Sequence, residues 1–362
     1  STKGIELRQV MPDVRKSSTT ICIVVMAVVV IVVAALALTS GSGNSDDSNP
    51  SSDNDYYKGG ITVNNRIEST TSDHIVTLHD TPKIFAVYAK NVELLCALGC
   101  EDLIVGAYIS EGDDEPMNSE YRDAYKKVVN SVAIKVPSNA WSKEEVMKTG
   151  ADLIVGWSST FNDSHLGSSE YWSTYGIQCF RTNLYGNSSG ASMETYYKLM
   201  DDLGTLLNAK EKADANVQMW KGKIADIQNK TSSLPENEKP KVLVIDYTDW
   251  SRGSTLVYGT DMLTGCLVEG AGADCIDSGR MTKHTLEEIA KMDYNFVLTV
   301  GKPPASDYAT PDDWWNSTPV LAAKGIEAGH VKSLDFGSLY MSGILQENIL
   351  DILFEMFYPN LA

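Results

Sequence analysis

Basic residues are scarce in this chain: Lys and Arg number 30 against 48 Asp and Glu, a net charge of −18 over 362 residues. That excludes wrapping a nucleic-acid backbone, which needs clustered cations. Six cysteines occur, with no Cys-x-x-Cys pair among them, so a zinc site is not expected. A phosphate-binding P-loop and His-Glu-x-x-His are both missing. The nucleotide and metalloprotease mechanisms that depend on them lose their residues. Where a dinucleotide-binding glycine loop would follow the first strand, Tyr88-Ala89-Lys90 stands instead. Asp113-Asp114 and Asp312-Asp313 sit in polar loops and read as solvated pairs. No catalytic residue, metal centre or intrinsic cofactor is expected.

One long apolar run is present. Ile21 to Leu38 carries no charge, and a helix of that length reaches roughly 27 Å, close to a bilayer core of about 30 Å. Residues 1–20 hold Lys3, Arg8, Arg15 and Lys16 against Glu6 and Asp13, while the polar stretch after the run has no cation before Lys58. The positive-inside rule then places residues 1–20 in the cytoplasm, an uncleaved anchor over 21–39, and everything beyond on the outside. No cysteine follows the run to invite lipid attachment. Residues 40–58, rich in Ser, Asp, Asn and Gly, form a flexible tether. An exterior location permits disulfides. Cys266 with Cys275, then Cys96 with Cys100, are the nearest candidates, with free buried thiols, including Cys179, as the alternative. Asn162, Asn187, Asn229 and Asn316 each open an Asn-x-Ser/Thr triplet open to glycosylation.

After an entry hairpin at 59–82, strand and helix patterns alternate, which implies parallel sheets covered by helices. A long helical pattern over 192–231 separates two such sets, 59–191 and 240–362. The expected architecture is α/β: two Rossmann-like lobes with parallel sheets joined by one long α-helix, preceded by an N-terminal transmembrane helix. A repeat supports the two lobes. The helix-strand phrase beginning at Ser142 returns at Thr285, and each copy opens with a capping box, Ser142 with Glu145 and Thr285 with Glu288.

Ligands of open parallel sheets bind beyond the carboxyl ends of the strands. That rule selects Tyr88 and Lys90, then Trp157, Ser158 and Ser159, then Asn183 and Tyr185 in the first lobe. In the second it selects Trp250 and Arg252, Lys302, and Phe336 with Tyr340. Trp314 and Trp315 are candidates for a lid. The set is aromatic with a few cations, suited to large flat or anionic ligands.

Several phrases resemble the periplasmic solute-binding proteins of ABC importers for iron-siderophores, haem and vitamin B12, over roughly residues 60–360. They are the opening Pro82–Gly99 with Asn91 and Glu93, the helix-strand unit Lys143–Trp157 with Ala151-Asp152 in place of the usual Pro-Asp, the strand phrase Tyr175–Asn183, and the long connecting helix. The resemblance implies a class III binder with a rigid connector. It implies a metal-chelate or corrinoid ligand between the lobes, an ABC permease and its ATPase as partners, and no enzymatic activity. It places permease-docking glutamates at Glu144 and Glu287, and a cleft tryptophan at Trp157. His165 and His330 are the nearest histidines for a haem iron. The alternative is a cell-surface or filament-forming protein that reuses the binding fold.

Overall fold

A computed structural model describes residues 53–66, 73–110, 121–137, 140–182, 193–246, 249–301, 308–334 and 349–361. The anchor over 21–39 and Tyr185, Lys302, Phe336 and Tyr340 lie outside the described residues. Among the described residues no helix is long and apolar enough to cross a membrane. Residues Ser52–Ala362 form one compact unit.

The entry hairpin pairs β1 (Ile61–Asn64) with β2 (Ile75–Leu78), Ile61 opposite Leu78. Five strands follow: β3 (Ile84–Val87), β4 (Ile104–Ser110), β5 (Ala133–Val136), β6 (Leu153–Gly156) and β7 (Gln178–Arg181). They are all parallel, in the order β5-β4-β3-β6-β7. β3 reads Ile-Phe-Ala-Val and is buried along its whole length, as a central strand covered on both faces must be. The chain steps from β3 outward to β4 and β5, then returns to lay β6 on the other side of β3. β3 and β6 therefore flank the topological switch point of this sheet.

The second sheet departs from expectation. Its strands are β8 (Lys241–Ile245), β9 (Ser254–Tyr258), β10 (Asp274–Cys275), β11 (Met281–Thr285), β12 (Phe296–Val300) and β13 (Val331–Leu334). The order is β11-β9-β8-β12-β13, with β10 beside β8. β8, β10, β12 and β13 are parallel, whereas β9 and β11 pair antiparallel. The predicted parallel sheet is thus corrected to a mixed one. Residues 246–253 alone separate β8 from β9, too few for a parallel crossover, which takes about a dozen residues or more. A 3-10 turn at Trp250–Arg252 reverses the chain between Asp249 (φ 62) and Gly253 (φ 75), both left-handed.

The single helix predicted over 192–231 is two helices, Met193–Leu206 and Lys210–Thr231. Asn208 (φ 53) stops the first. The Ala209 N–H donates to the Gly204 carbonyl at 2.7 Å and the Asn208 N–H to that of Thr205 at 3.4 Å. This is a Schellman stop with Asn in the left-handed position that such motifs require. Met193–Leu206 belongs to the first lobe, where the Tyr56 hydroxyl donates to the Thr205 carbonyl at 2.6 Å. Lys210–Thr231 is the connector. The Asn216 amide reaches the Ala97 carbonyl in the first lobe, and Ile227 and Thr231 pack against Gly272 in the second. One apolar core runs through both lobes along this helix, from Leu94 and Tyr196 through Trp220 and Ile227 to Leu267 and Ile349.

The repeat occupies equivalent places in the two sheets. Helices Lys143–Lys148 and Leu286–Lys291 each lead into the strand beside the lobe's first one, β6 next to β3 and β12 next to β8. The capping box is complete at Thr285 and Glu288. At Ser142 only half is made: its hydroxyl accepts from the Glu145 N–H and donates to Glu144 Oε2 at 2.8 Å instead.

Neither candidate disulfide forms; Cys96, Cys100, Cys179, Cys266 and Cys275 are all free. Cys266 and Cys275 point their thiols at the Thr260 and Tyr258 carbonyls. Burial pushes each of the five thiols up to about 12. A thiol reagent at pH 8 should therefore leave all five untouched in the folded protein and label them only after denaturation. Rapid labelling of the native chain would contradict this burial. Because the folded thiols titrate above the ordinary value of 9.0, their contribution to stability is complete below about pH 9. It is lost as pH rises from there towards 12.

Candidate ligand-binding site

The carboxyl ends of β3 and β6 deliver Tyr88 and Trp157 side by side. Their rings stack at 3.8 Å between centroids with 21° between planes. Both were selected from the sequence, and both are half-buried. Tyr88 adopts φ 77, a conformation that side chains other than hydrogen rarely accept. The neighbourhood over-determines it. The Tyr88 N–H donates to the Tyr108 carbonyl at 2.8 Å, and the Asn91 amide donates back to the Val87 carbonyl at 2.6 Å. The Thr182 hydroxyl, from the end of β7, fixes the other side of Asn91 at 2.6 Å. Asn91 and Thr182 are both buried. Burial pushes the Tyr88 phenol up, while the nearby Thr160 and Ser159 hydroxyls pull the other way. Ser158 opens the 3-10 turn Ser158–Thr160 directly after Trp157.

Two further rings complete a platform. Trp141 meets Tyr88 edge to face at 5.3 Å, and His165 lies 5.5 Å from Trp141. Trp141 was not selected from the sequence, because it precedes a helix instead of following a strand. Tyr108 holds the backbone of the next residue: its hydroxyl accepts from the Ser142 N–H at 3.0 Å and donates to the Ser142 carbonyl at 2.9 Å. The legible signal was an aromatic residue immediately before the capping residue of the repeated helix.

Lys90, by contrast, turns inward. Its ammonium pairs with Glu93 at 3.0 Å, and the Glu93 side chain is only 3% exposed. That pair neutralises a carboxylate that would otherwise be buried alone. In the second lobe Trp250 lies at the end of β8, 4.2 Å from Trp314. Arg252 is exposed and paired with Asp249 at 3.0 Å. A hydrogen bond from Lys283, with Arg252 beside it, holds the Asp249 carboxyl below the usual range. Trp314 and Trp315 are 1% and 0% exposed within the second lobe's core, which rules out the lid expected of them. Glu144 and Glu287 are both exposed on the first turns of the repeated helices. His330 donates from Nδ1 to the Asn295 carbonyl at 3.2 Å on the flank of the second sheet, where its ring lies beside Phe296.

No protein-family model matches the chain. A Bacillus subtilis protein named as an uncharacterized ABC transporter substrate-binding lipoprotein is 24% identical over 251 residues, 68% of this chain and 73% of that one. A periplasmic binding protein from Veillonella parvula superposes with a TM-score of 0.67 at 23% identity, covering 84% of this chain and 93% of its own. The chain has the fold of the periplasmic binding proteins. A structure described as an Fe3+-hydroxamate transport system from Saccharomonospora viridis gives 0.60 at 16% identity, covering 83% and 99%. The heme-binding protein HutB of Vibrio cholerae gives 0.56 at 20%, covering 75% and 99%. The Bacillus relative is named as a substrate-binding component of an ABC transporter, and the Veillonella and Vibrio structures as periplasmic binding proteins.

Proposed function

We propose that the chain is the extracytoplasmic substrate-binding component of an ABC importer. Its ligand is an iron complex, a ferric siderophore or haem, with a corrinoid as the remaining member of the class. The carrying observation is the Tyr88–Trp157 stack at the switch point of the first sheet, flanked by Trp141. Flat conjugated ligands gain from such rings through area burial and offset stacking. The fold shared with hydroxamate-transport and heme-binding proteins supports the same ligand class. The run Ile21–Leu38 supports a membrane anchor, with the tether letting the lobes reach a permease.

Titrating the full chain with haem, ferric hydroxamates and cobalamin, while following tryptophan fluorescence, tests the ligand class. Saturable binding of one of them is expected; no binding of any would end the proposal. Glu144 and Glu287 supply one exposed carboxylate per lobe on equivalent helices, suited to paired cations on a permease. Reversing both to Lys should abolish uptake in cells and leave ligand affinity unchanged within about twofold. Loss of affinity instead would remove the docking role.

A further inference from the structure

The histidine of the platform has its protonation pattern written by its neighbours. Asn162 accepts at Oδ1 from the Ser164 N–H (2.9 Å) and the Ser164 hydroxyl (2.6 Å). Its Nδ2 donates to the Ser159 carbonyl at 2.6 Å. A main-chain N–H can only donate and a main-chain carbonyl can only accept, so these two partners leave the amide one orientation. The second Nδ2 hydrogen then points at His165 Nδ1, 2.9 Å away. A nitrogen that accepts cannot carry the proton of a neutral imidazole. His165 is therefore the Nε2–H tautomer, and Nε2 has no partner among the described residues.

The geometry points to His165 as a specificity-determining hydrogen-bond donor at the edge of the aromatic platform, with Asn162 as its positioning residue. A metal ligand needs a free nitrogen lone pair. Nε2 has given its lone pair to the ring and Nδ1 is occupied by Asn162, so this imidazole does not offer itself to iron. The indole N–H groups of Trp141 and Trp157 are also donors by chemistry. These three N–H groups can only donate, so they ask for acceptors. The ligand they fit is a flat one bearing carboxylate or other anionic oxygens at its periphery, held through those oxygens. The same Asn162 opens an Asn-Asp-Ser triplet, but both of its amide hydrogens are already committed to Ser159 and His165.

The tautomer stands apart from the ligand class, which rests on the proposed function. Long-range proton–nitrogen NMR spectra of the full chain should show one histidine in the Nε2–H form whose signals vanish in His165→Gln. An Nδ1–H pattern at that residue would overturn the assignment. Asn162→Asp replaces the donor by an acceptor and should switch His165 to Nδ1–H; a merely structural role for Asn162 would leave the tautomer unchanged. For the ligand, the probes are iron protoporphyrin IX, metal-free protoporphyrin IX and its dimethyl ester. His165→Ala should weaken both free acids about tenfold, leave the ester unaffected and leave the Soret band of the iron complex in place. Selective loss of the iron form with a shifted Soret band would overturn the donor role in favour of coordination. If no porphyrin binds the native chain, the porphyrin ligand class falls, and the tautomer stands or falls by the spectra alone.

Discussion

Replacing Tyr88 by glycine is expected to weaken ligand binding by about 30-fold or more while folding better than the alanine variant. The binding loss comes from the ring. Tyr88 lies flat against Trp157 and edge-on to Trp141, so its removal takes away a face of the platform and loosens both indoles. Aromatic anchors of this kind cost about 2 kcal/mol or more on truncation, which is about 30-fold in affinity. The stability contrast comes from the backbone. At φ 77 an alanine keeps the steric conflict of its Cβ and loses the ring packing that offsets it. Glycine loses the ring but sheds the conflict, a difference of about 1 kcal/mol or more. Melting temperatures should rank Tyr88→Gly above Tyr88→Ala, with both variants defective in fluorescence titrations against the best native ligand. Equal melting temperatures would show that the Val87–Tyr88 turn relaxes freely. Native affinity in both would remove Tyr88 from the site.

Why was half of the platform visible in the sequence? Tyr88 and Trp157 are adjacent to buried strands, Ile84–Val87 and Leu153–Gly156, whose continuous apolar runs announce central parallel strands. The residue that follows such a strand sits at the ligand-bearing edge by topology alone. Trp141 reaches the same place from a loop, beside Ser142, whose backbone makes a hydrogen-bond pair with Tyr108, distant in sequence. Lys90 shows the opposite failure. Sequence position put it at the edge, but the buried Glu93 one helical turn later claims its charge. Trp314 and Trp315 look like exposed loop aromatics next to Pro and Asp. Instead Thr310 caps a short helix that buries both rings.

The fold was legible where periodicity was long and misread where a single residue decided. The alternation over 82–182 carries its parallel sheet directly. In the second lobe, β9 and β11 lie in a Gly- and Thr-rich stretch without a strong period, so the antiparallel pair stayed hidden. The break between the two helices hinges on Asn208. Apolar positions continue in phase on either side of it, and only the left-handed backbone of that residue marks the stop.

The Trp220→Ala variant should lose about 3–5 kcal/mol of stability, the range for truncating a large buried aromatic ring. Trp220 is 1% exposed midway along the connector, between Asn216, which bonds to the first lobe, and Ile224, which packs on Gly270 of the second. The cavity it leaves opens in the core shared by both lobes, so the effect should not be confined to one of them. Chemical denaturation followed by fluorescence and by far-ultraviolet circular dichroism should give one coincident transition in the native chain, shifted as a whole in the variant. Two separated transitions would show that the lobes unfold independently and that the connector is a tether instead of a shared core. Trp220→Phe sharpens the point. The indole Nε1 is buried without a hydrogen-bond partner among the described residues. Phenylalanine removes that unsatisfied donor while keeping most of the volume, so it should cost less than about 1.5 kcal/mol. A Phe variant as unstable as the Ala variant would mean that this core needs the full bicyclic shape of the indole and does not repack around a smaller ring.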